Sequence, residues 1–156
     1  MSNIFEGEDA EKEILDKNPN FTQVYPKGWD GLNTMIAENA NAARLFSFIA
    51  KNMDPKGGVL VASQKVLAEA LGVADITIRR ASVWLEERGH LVRIRVGTSV
   101  YAYAMNPEEV WKSFHSDKQY AVFTIKTLVS KRDRHNRTVD RRIKLMMKEA
   151  SPPRDA

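Results

Sequence analysis

The spacing of apolar residues changes several times along the chain, and each change predicts a different element. Between Leu32 and Met53 apolar residues recur at steps of three and four, a period that predicts one amphipathic helix. The proline- and glycine-containing turn Asp54–Gly58 ends that helix. The short β-branched stretch Val59–Ala62 then predicts a strand, and an earlier strand is predicted at Phe21–Tyr25.

Two short helices joined by a tight turn follow this strand. Ser63 supplies an N-cap oxygen for a helix through Leu71, and Gly72 permits the left-handed conformation that ends it. A second helix is predicted to start at Ala74–Asp75 and to run to Arg88, where a glycine stops it. This connection is typical of a helix-turn-helix, although ordinary helix packing uses the same signals.

The remainder of the chain predicts further strands and helices. The arms "LVRIRV" and "VYAYAM" alternate on either side of "GTS", which predicts a β-hairpin. Asn106 as an N-cap followed by Pro107 predicts a helix over "NPEEVWKSF". Tyr120–Ser130 is β-branched and aromatic and predicts a strand, and residues 131–150 predict a basic helix. The order predicts an α+β fold, a winged helix-turn-helix with a C-terminal strand and a basic helix extension.

The net charge of +4 at pH 7 hides a gradient along the chain. Residues 1–40 hold 3 Lys and 8 Asp or Glu, giving −5, whereas residues 118–156 hold 11 Lys or Arg and 4 Asp or Glu, giving +7. The basic end indicates a polyanionic partner, with a solvated tail as the alternative. Without cysteine, disulfides and cysteine-ligated zinc are excluded. The acidic start and the lack of a long apolar run predict a cytoplasmic protein that does not associate with a membrane.

The second helix of the pair predicts a face that reads DNA. Its inner stripe is apolar: Ile78, Ala81 and Leu85. The residues predicted to contact bases lie on the outer side of its N-terminal half: Asp75, Thr77, Arg79 and Arg80. Arginine makes a bidentate contact with guanine, and threonine bonds a phosphate or touches a thymine methyl group. We therefore predict binding to double-stranded DNA, with solvated arginines as the alternative.

Further residues are predicted to hold phosphates beside these base contacts. They lie at the start of the preceding helix, on the hairpin and in the basic helix: Ser63 and Gln64; Arg93, Arg95, Thr98 and Ser99; and Arg132, Arg134, Arg137, Arg141 and Arg142. The basic helix also carries a narrow apolar stripe: Val139, Ile143, Met146 and Met147. Docking of this helix on its own domain or on a second subunit is therefore an equal alternative, compatible with DNA contact.

Other residues that could bind a metal or take part in catalysis have simpler structural explanations. The three histidines lack metal-ligand spacing, and His90 and His135 are interpreted as surface residues. Trp84 is predicted to be buried or to lie at a subunit interface, and packing in the wing explains Tyr101 and Tyr103 better than a nicking reaction does. We expect no catalysis, no cofactor and no metal.

A resemblance narrows these predictions. The stretch "LAEALGVADITIRRASVWLEERGHLVRIRVGTSVYAYAMNPEEVWK" resembles plasmid-encoded winged-helix proteins, especially the RepL-type replication initiators, and its first part is similar to MarR-like and GntR-like regulators. The likeness covers about residues 21–115 and rests on a recognition helix, a wing ending in tyrosine, and an Asn-Pro step before an aromatic residue: Ile76–Arg88, Tyr101 and Tyr103, Asn106-Pro107 and Trp111. Ala74 departs from the pattern, because such motifs commonly have a serine cap there. The resemblance implies sequence-specific binding of plasmid DNA, either to start replication or to repress a promoter.

Four segments are expected on these grounds. They are an acidic, disordered N-terminus (residues 1–20), a winged-helix DNA-binding domain (21–117), a basic strand-helix extension for DNA contact or dimerisation (118–150) and a disordered tail (151–156). The expected protein is a homodimeric plasmid replication initiator that meets replication or transcription machinery. The alternatives are a repressor of plasmid genes and, from another class, a protein-interaction module that docks through Trp84, Trp111 and the predicted strand Tyr120–Ser130.

Overall fold

The computed structural model describes residues 21–55, 58–112, 141–143, 145 and 146, and it has four helices and five strands within them. The helices are α1 (Pro26–Glu38), α2 (Ala40–Asn52), α3 (Gln64–Leu71) and α4 (Asp75–Glu87). The strands are β1 (Gln23–Val24), β2 (Val59–Ser63), β3 (Leu91–Gly97), β4 (Val100–Met105) and β5 (Val110–Trp111). Residues 141–143, 145 and 146 are also helical. The predicted α+β class is confirmed.

The strands form two antiparallel sheets. In the larger sheet β4 lies between β2 and β3, so that Ala102 is opposite both Val61 and Ile94. β3 and β4 are the two arms of the predicted hairpin, and β2 is the predicted strand before α3. The smaller sheet pairs β1 with β5. The larger sheet thereby joins the hairpin to the residues that begin α3.

Local signals determine the ends of α3 and α4. The Ser63 hydroxyl accepts the backbone N–H of Val66 at 3.1 Å, which is the predicted N-cap. Gly72 ends α3 with a φ of 66°, a left-handed conformation that glycine adopts without steric cost. α4 starts at Asp75 and ends at Glu87, within one residue of the predicted range.

The continuous helix predicted from Leu32 to Met53 is wrong, because Asn39 divides it into α1 and α2. The Asn39 backbone N–H bonds the Met35 carbonyl at 2.7 Å, and its side-chain oxygen accepts the Ala42 N–H at 3.1 Å. One residue therefore ends the first helix and caps the second. Ile36, an apolar residue of the stripe between Leu32 and Met53, is 62% exposed.

The helix predicted over "NPEEVWKSF" is also wrong, because the chain makes one turn and then enters β5. The Asn106 side chain accepts the Glu108 N–H at 3.0 Å, so the predicted cap forms. Val110 and Trp111 then pair with β1 and are both buried. Pairing with β1 holds these two residues in an extended conformation, so their backbone groups bond across the small sheet instead of along a helix. Tertiary packing thus overrides a correct local start signal.

The main core lies between the four helices and the inner face of the larger sheet. Its fully buried members come from every layer: Met35, Leu45, Ile49, Leu67, Ile78, Leu85, Leu91 and Tyr103. α4 contributes Ile78, Ala81 and Leu85, as the periodicity predicts. The orientation of α4 therefore fixes which of its residues can meet solvent.

A second, smaller core covers the outer face of the same sheet. Met146 is completely buried there, with Ile143 beside it. The sheet side chains in this cluster alternate with those of the main core: Val59, Val92, Ile94, Ala102 and Ala104. The described part of the basic segment therefore docks on its own domain, as one of the two sequence-based alternatives holds. DNA contact by the rest of that segment stays a prediction.

A buried carboxylate joins these layers. Glu86, near the end of α4, is 1% exposed. Its Oε1 accepts Nε of Arg93 at 2.6 Å, and its Oε2 accepts Nη1 of Arg142 at 2.9 Å and the Arg93 backbone N–H at 3.2 Å. A buried ionised carboxylate is tolerated only where cations and hydrogen bonds compensate its lost hydration. Glu86 thus ties α4, the hairpin and residue 142 together.

We predict that Glu86→Gln lowers the free energy of unfolding by about 3 kcal/mol, because it leaves the half-buried Arg93 without a counter-charge. The measurement is urea unfolding of the full chain. Glu87→Gln is the matched control: it removes an adjacent, exposed carboxylate and should change stability by less than about 0.5 kcal/mol. Equal losses in the two variants would contradict the assigned role of Glu86.

Tyr103 titrates abnormally because it is buried in the main core. Desolvation by burial raises the pKa of its hydroxyl to about 12, and the charge of Arg93 opposes that rise. A tyrosine in the unfolded chain has a pKa near 10. The folded protein therefore holds this proton more tightly, and the resulting stability is complete below pH 10 and is lost as the pH rises to 12.

We predict that wild-type protein loses about 2–3 kcal/mol of unfolding free energy from this group between pH 10 and pH 12. In Tyr103→Phe the same interval should show a decline that is smaller by this amount, because no hydroxyl ionises. Denaturant unfolding at closely spaced alkaline pH values measures both profiles. Parallel profiles would refute the contribution of Tyr103.

Candidate nucleic-acid interface

The connection between α3 and α4 is tight and well bonded. The backbone N–H of Gly72 bonds the Glu69 carbonyl at 3.3 Å, and that of Val73 bonds the Ala68 carbonyl at 3.0 Å. Val73 packs against the main core, as predicted for a residue between the two helices. Arg44 of α2 bonds the Leu71 carbonyl at 2.5 Å and so satisfies a carbonyl at the α3 terminus. These contacts fix the position at which α4 begins.

The two sides of α4 differ in burial and charge. Its inner side is in the core, with Ile78 and Leu85 buried. The outer side of its N-terminal half is exposed and carries most of the residues predicted to read bases: Asp75, Arg79 and Arg80 are exposed, and Thr77 is half-buried. No ion pair or hydrogen bond to another described residue engages the guanidinium groups of Arg79 and Arg80. Two adjacent cations are therefore presented to solvent.

The helix start also presents polar backbone groups. Ala74, at the N-cap of α4, makes no side-chain cap bond, which agrees with the departure noted in the sequence. Its carbonyl accepts the Thr77 N–H at 3.0 Å. The first N–H groups of a helix without a side-chain cap are available to an anion or to water.

The start of α3 and the tip of the hairpin lie together. The backbone N–H of Gln64 bonds the Ser99 carbonyl at 3.2 Å, which brings the Ser63–Gln64 step to the turn of the hairpin. Thr98 and Ser99 are exposed, and Ser99 holds the turn with a φ of 58°. The structure thus assembles four of the predicted phosphate-binding residues into one polar group, although Ser63 Oγ is already used as a helix cap.

The arginines predicted to hold phosphates fall into two sets. Arg95 and Arg141 are exposed, and Arg95 bonds the Gly97 carbonyl at 3.3 Å. Arg93 and Arg142 both pair with Glu86, and only 12% of the Arg93 side chain is exposed. The Arg93 guanidinium also lies 5.0 Å from the Tyr101 ring. Phosphate binding by these four residues stays a prediction. Of the four, the exposed residues Arg95 and Arg141 are the more accessible to a phosphate group.

The remaining predicted contacts, Arg132, Arg134 and Arg137, lie outside the described residues, as do His115 and His135. The predicted strand Tyr120–Ser130 and the residues before 21 and after 146 lie outside them as well. The predicted division into four segments therefore stays untested.

Comparison with protein-family models supports the resemblance. The family model described as "Firmicute plasmid replication protein (RepL)" matches residues 4–144. The chain belongs to the RepL family. No curated protein and no solved structure was found to match it. Membership in this family makes the chain a plasmid replication protein by descent, and the predicted relationship to RepL-type proteins is confirmed.

Two further findings concern the described part of this RepL-family protein. None of its helices is both long enough and apolar enough to cross a membrane. Within the same residues, no three His, Cys, Asp or Glu side chains lie together as a metal site would require.

The prediction that His90 is a surface residue is wrong. It is 9% exposed, and its Nδ1 shares a hydrogen bond of 2.7 Å with Oε1 of Glu109, which is itself buried. The ring of Trp84 stacks on it at 6.1 Å, with Arg88 over the indole at 3.9 Å. Trp84 is therefore half-buried in a stack with residues of its own chain, about one helical turn after Arg80.

Sequence reasoning missed three buried polar residues that hold the fold together: Glu86, Asn106 and Glu109. Glu86 had a detectable signal, because it follows Ile78 by eight positions, about two helical turns, and so lies on the inner side of α4. Asn106 donates from its side chain to the Gly89 carbonyl at 3.1 Å, a partner 17 residues earlier that no local pattern could indicate. Glu109 likewise depends on a distant partner, His90.

Proposed function

We propose that this RepL-family protein is a replication initiator that binds double-stranded plasmid DNA through a winged helix-turn-helix. In this proposal α3 and α4 are the helix pair, α4 enters the major groove, and β3 and β4 form the wing. The proposed role is binding and assembly at the origin rather than catalysis.

The single observation that carries the proposal is the division of α4 into a buried and a cationic side. Its outer N-terminal half presents Arg79 and Arg80, with no other described residue bonded to their guanidinium groups. Guanidinium groups in this position match the O6 and N7 acceptors of guanine, and a major groove about 12 Å wide admits one helix. Membership in a family of plasmid replication proteins also supports DNA as the binding partner.

Polar groups elsewhere support a phosphate-binding frame around α4. The group formed by Ser63, Gln64, Thr98 and Ser99 offers hydroxyl and amide donors of the kind that hold a duplex in register. Arg95 and Arg141 add exposed positive charge. Phosphate contacts would supply salt-dependent affinity, and the α4 arginines would supply sequence preference.

A homodimer on a palindromic or repeated site fits this proposal, since two-fold symmetry of a protein commonly mirrors that of its site. Contacts with replication machinery belong to the same proposal. A repressor of plasmid genes would use the same interface, and the location of the bound site distinguishes the two roles. Selection of bound duplexes from a random pool gives the site, which should lie within a replication origin for an initiator and ahead of a promoter for a repressor.

The protein-interaction alternative has less support. One of its proposed surface residues, Trp111, is 1% exposed, and Trp84 is stacked between Arg88 and His90. Trp111 is therefore inaccessible to a partner, and residues of its own chain partly cover Trp84.

We predict that Arg79→Ala weakens binding to the selected site by about 1–3 kcal/mol and broadens the base preference at one position, because a bidentate guanine contact is lost. Fluorescence anisotropy with the selected and with shuffled duplexes measures both effects. Lys51→Ala is the charge-matched control, since it removes an exposed cation from α2. Unchanged specific affinity in Arg79→Ala would refute the assignment of this face.

We also predict that changing Arg132, Arg134 and Arg137 together to Gln lowers affinity evenly across sequences. If each holds one phosphate, the slope of log K against log salt should fall by about 2.7, at about 0.9 per contact. The variant keeps the docking residues Ile143 and Met146, so the second core is retained. Salt titrations of wild type and variant provide the comparison. An identical slope would show that the basic segment serves docking alone.

A further inference from the structure

The outer side of α4 carries an apolar residue that the proposed arginine contacts do not explain. Ile76, the second residue of the helix, is 46% exposed and lies between Asp75 and Thr77. It contributes nothing to either core. A β-branched side chain is also a poorer helix former than alanine or leucine, so helix stability does not favour it at this position.

Ile76 is part of a shaped surface rather than an isolated apolar side chain. It lines an open depression of about 380 Å³ together with Arg79, Arg80, Val83, Trp84 and Glu87. Each of these six residues lies three or four positions from another of them, so they form one strip along the helix. Apolar side chains of Ile76, Val83 and Trp84 line the strip. The two arginines lie in its N-terminal half, and the carboxylate of Glu87 lies at its C-terminal end.

This combination matches one feature of duplex DNA. Thymine alone among the bases carries a methyl group, at C5, and that methyl group faces the major groove. An isoleucine followed by two arginines can recognise a surface on which an apolar group lies beside hydrogen-bond acceptors. Residues three or four apart on a helix are separated by about 5–6 Å, and base pairs by about 3.4 Å. Ile76 and Arg79 would thus contact base pairs one or two steps apart.

We propose that Ile76 is a specificity-determining residue that reads the 5-methyl group of a thymine one or two base pairs from the guanine read by Arg79 or Arg80. The inference rests on the proposed function, because it requires α4 to lie in the major groove. Contact between the isoleucine and the methyl group removes apolar surface of both from water. One buried methyl-sized group changes affinity by about fourfold.

Replacement of thymidine by deoxyuridine tests this proposal, since it removes the methyl group and leaves base pairing and the O4 acceptor unchanged. Each thymidine of the selected duplex is replaced in turn, and affinity is measured with the full-length protein. Wild type should lose about fourfold at one position. Ile76→Ala should bind the unmodified duplex about fourfold more weakly and should be insensitive to deoxyuridine at that position.

Ile36→Ala is the matched control, because Ile36 is an isoleucine on α1 that is 62% exposed. It should retain the full loss on deoxyuridine substitution. Ile76→Val, which deletes one methylene group and keeps the β-branch, should retain part of it, and thermal unfolding shows whether the variants are folded. A folding defect can therefore be distinguished from the loss of a specific contact with the methyl group.

The remaining outcomes separate the inference from the proposed function. Specific binding that no deoxyuridine weakens would overturn the role of Ile76 and leave DNA binding by α4 intact. A failure to select any site would overturn both. If Ile76→Ala instead changed the oligomeric state in sedimentation while wild type ignored the methyl group, the depression would be a protein contact and the proposal would be wrong.

Discussion

The buried carboxylate of Glu86 is the interaction on which the arrangement of this protein depends. Its charge is held inside the fold, and two cations compensate it: Arg93 from the hairpin that follows α4, and Arg142, which is 56 positions away. Ion pairs of this kind rarely add much net stability, but removal of one partner is expensive, so the pairing specifies one arrangement. Because Glu86 belongs to α4, the same pairing fixes how that helix sits on the sheet.

The orientation of α4 determines which cations are available to a partner. The inner side of the helix ends in Glu86, and the outer side begins with Asp75 and Ile76 and continues with Arg79 and Arg80. Three other arginines are held by the fold, since Arg93 and Arg142 meet Glu86 and Arg44 bonds the end of α3. The positive charge of this protein is therefore divided between structural arginines and exposed ones, a distinction that the net charge of +4 hides.

The basic segment illustrates how one stretch can have two physical roles. Ile143 and Met146 cover apolar side chains on the outer face of the sheet, which would otherwise meet water. On the same turn of chain Arg142 reaches Glu86, whereas Arg141 is exposed. Docking would therefore not prevent contact with nucleic acid, because the packed residues and the exposed Arg141 lie on different sides of this segment.

Features that depend on neighbours within about four residues could be predicted from the order of amino acids. The Ser63 cap, the left-handed Gly72, the limits of α4 and the two arms of the hairpin all follow from such short-range rules, and family resemblance was carried by the same stretch. The exposed face with Arg79 and Arg80 followed in turn from the 3.6-residue period.

Features whose partners are far away along the chain could be seen only once the chain was folded. Glu86 meets Arg142 across 56 positions, and His90 meets Glu109 across 19, so neither pair leaves a local pattern. The helix expected after Asn106 gave way to β5 because pairing with β1 buries Val110 and Trp111. The break at Asn39 likewise divided the predicted helix, and Ile36 is exposed although it belongs to the apolar stripe. Local rules fix where elements begin and end, whereas burial and charge compensation depend on contacts that form only when distant segments meet.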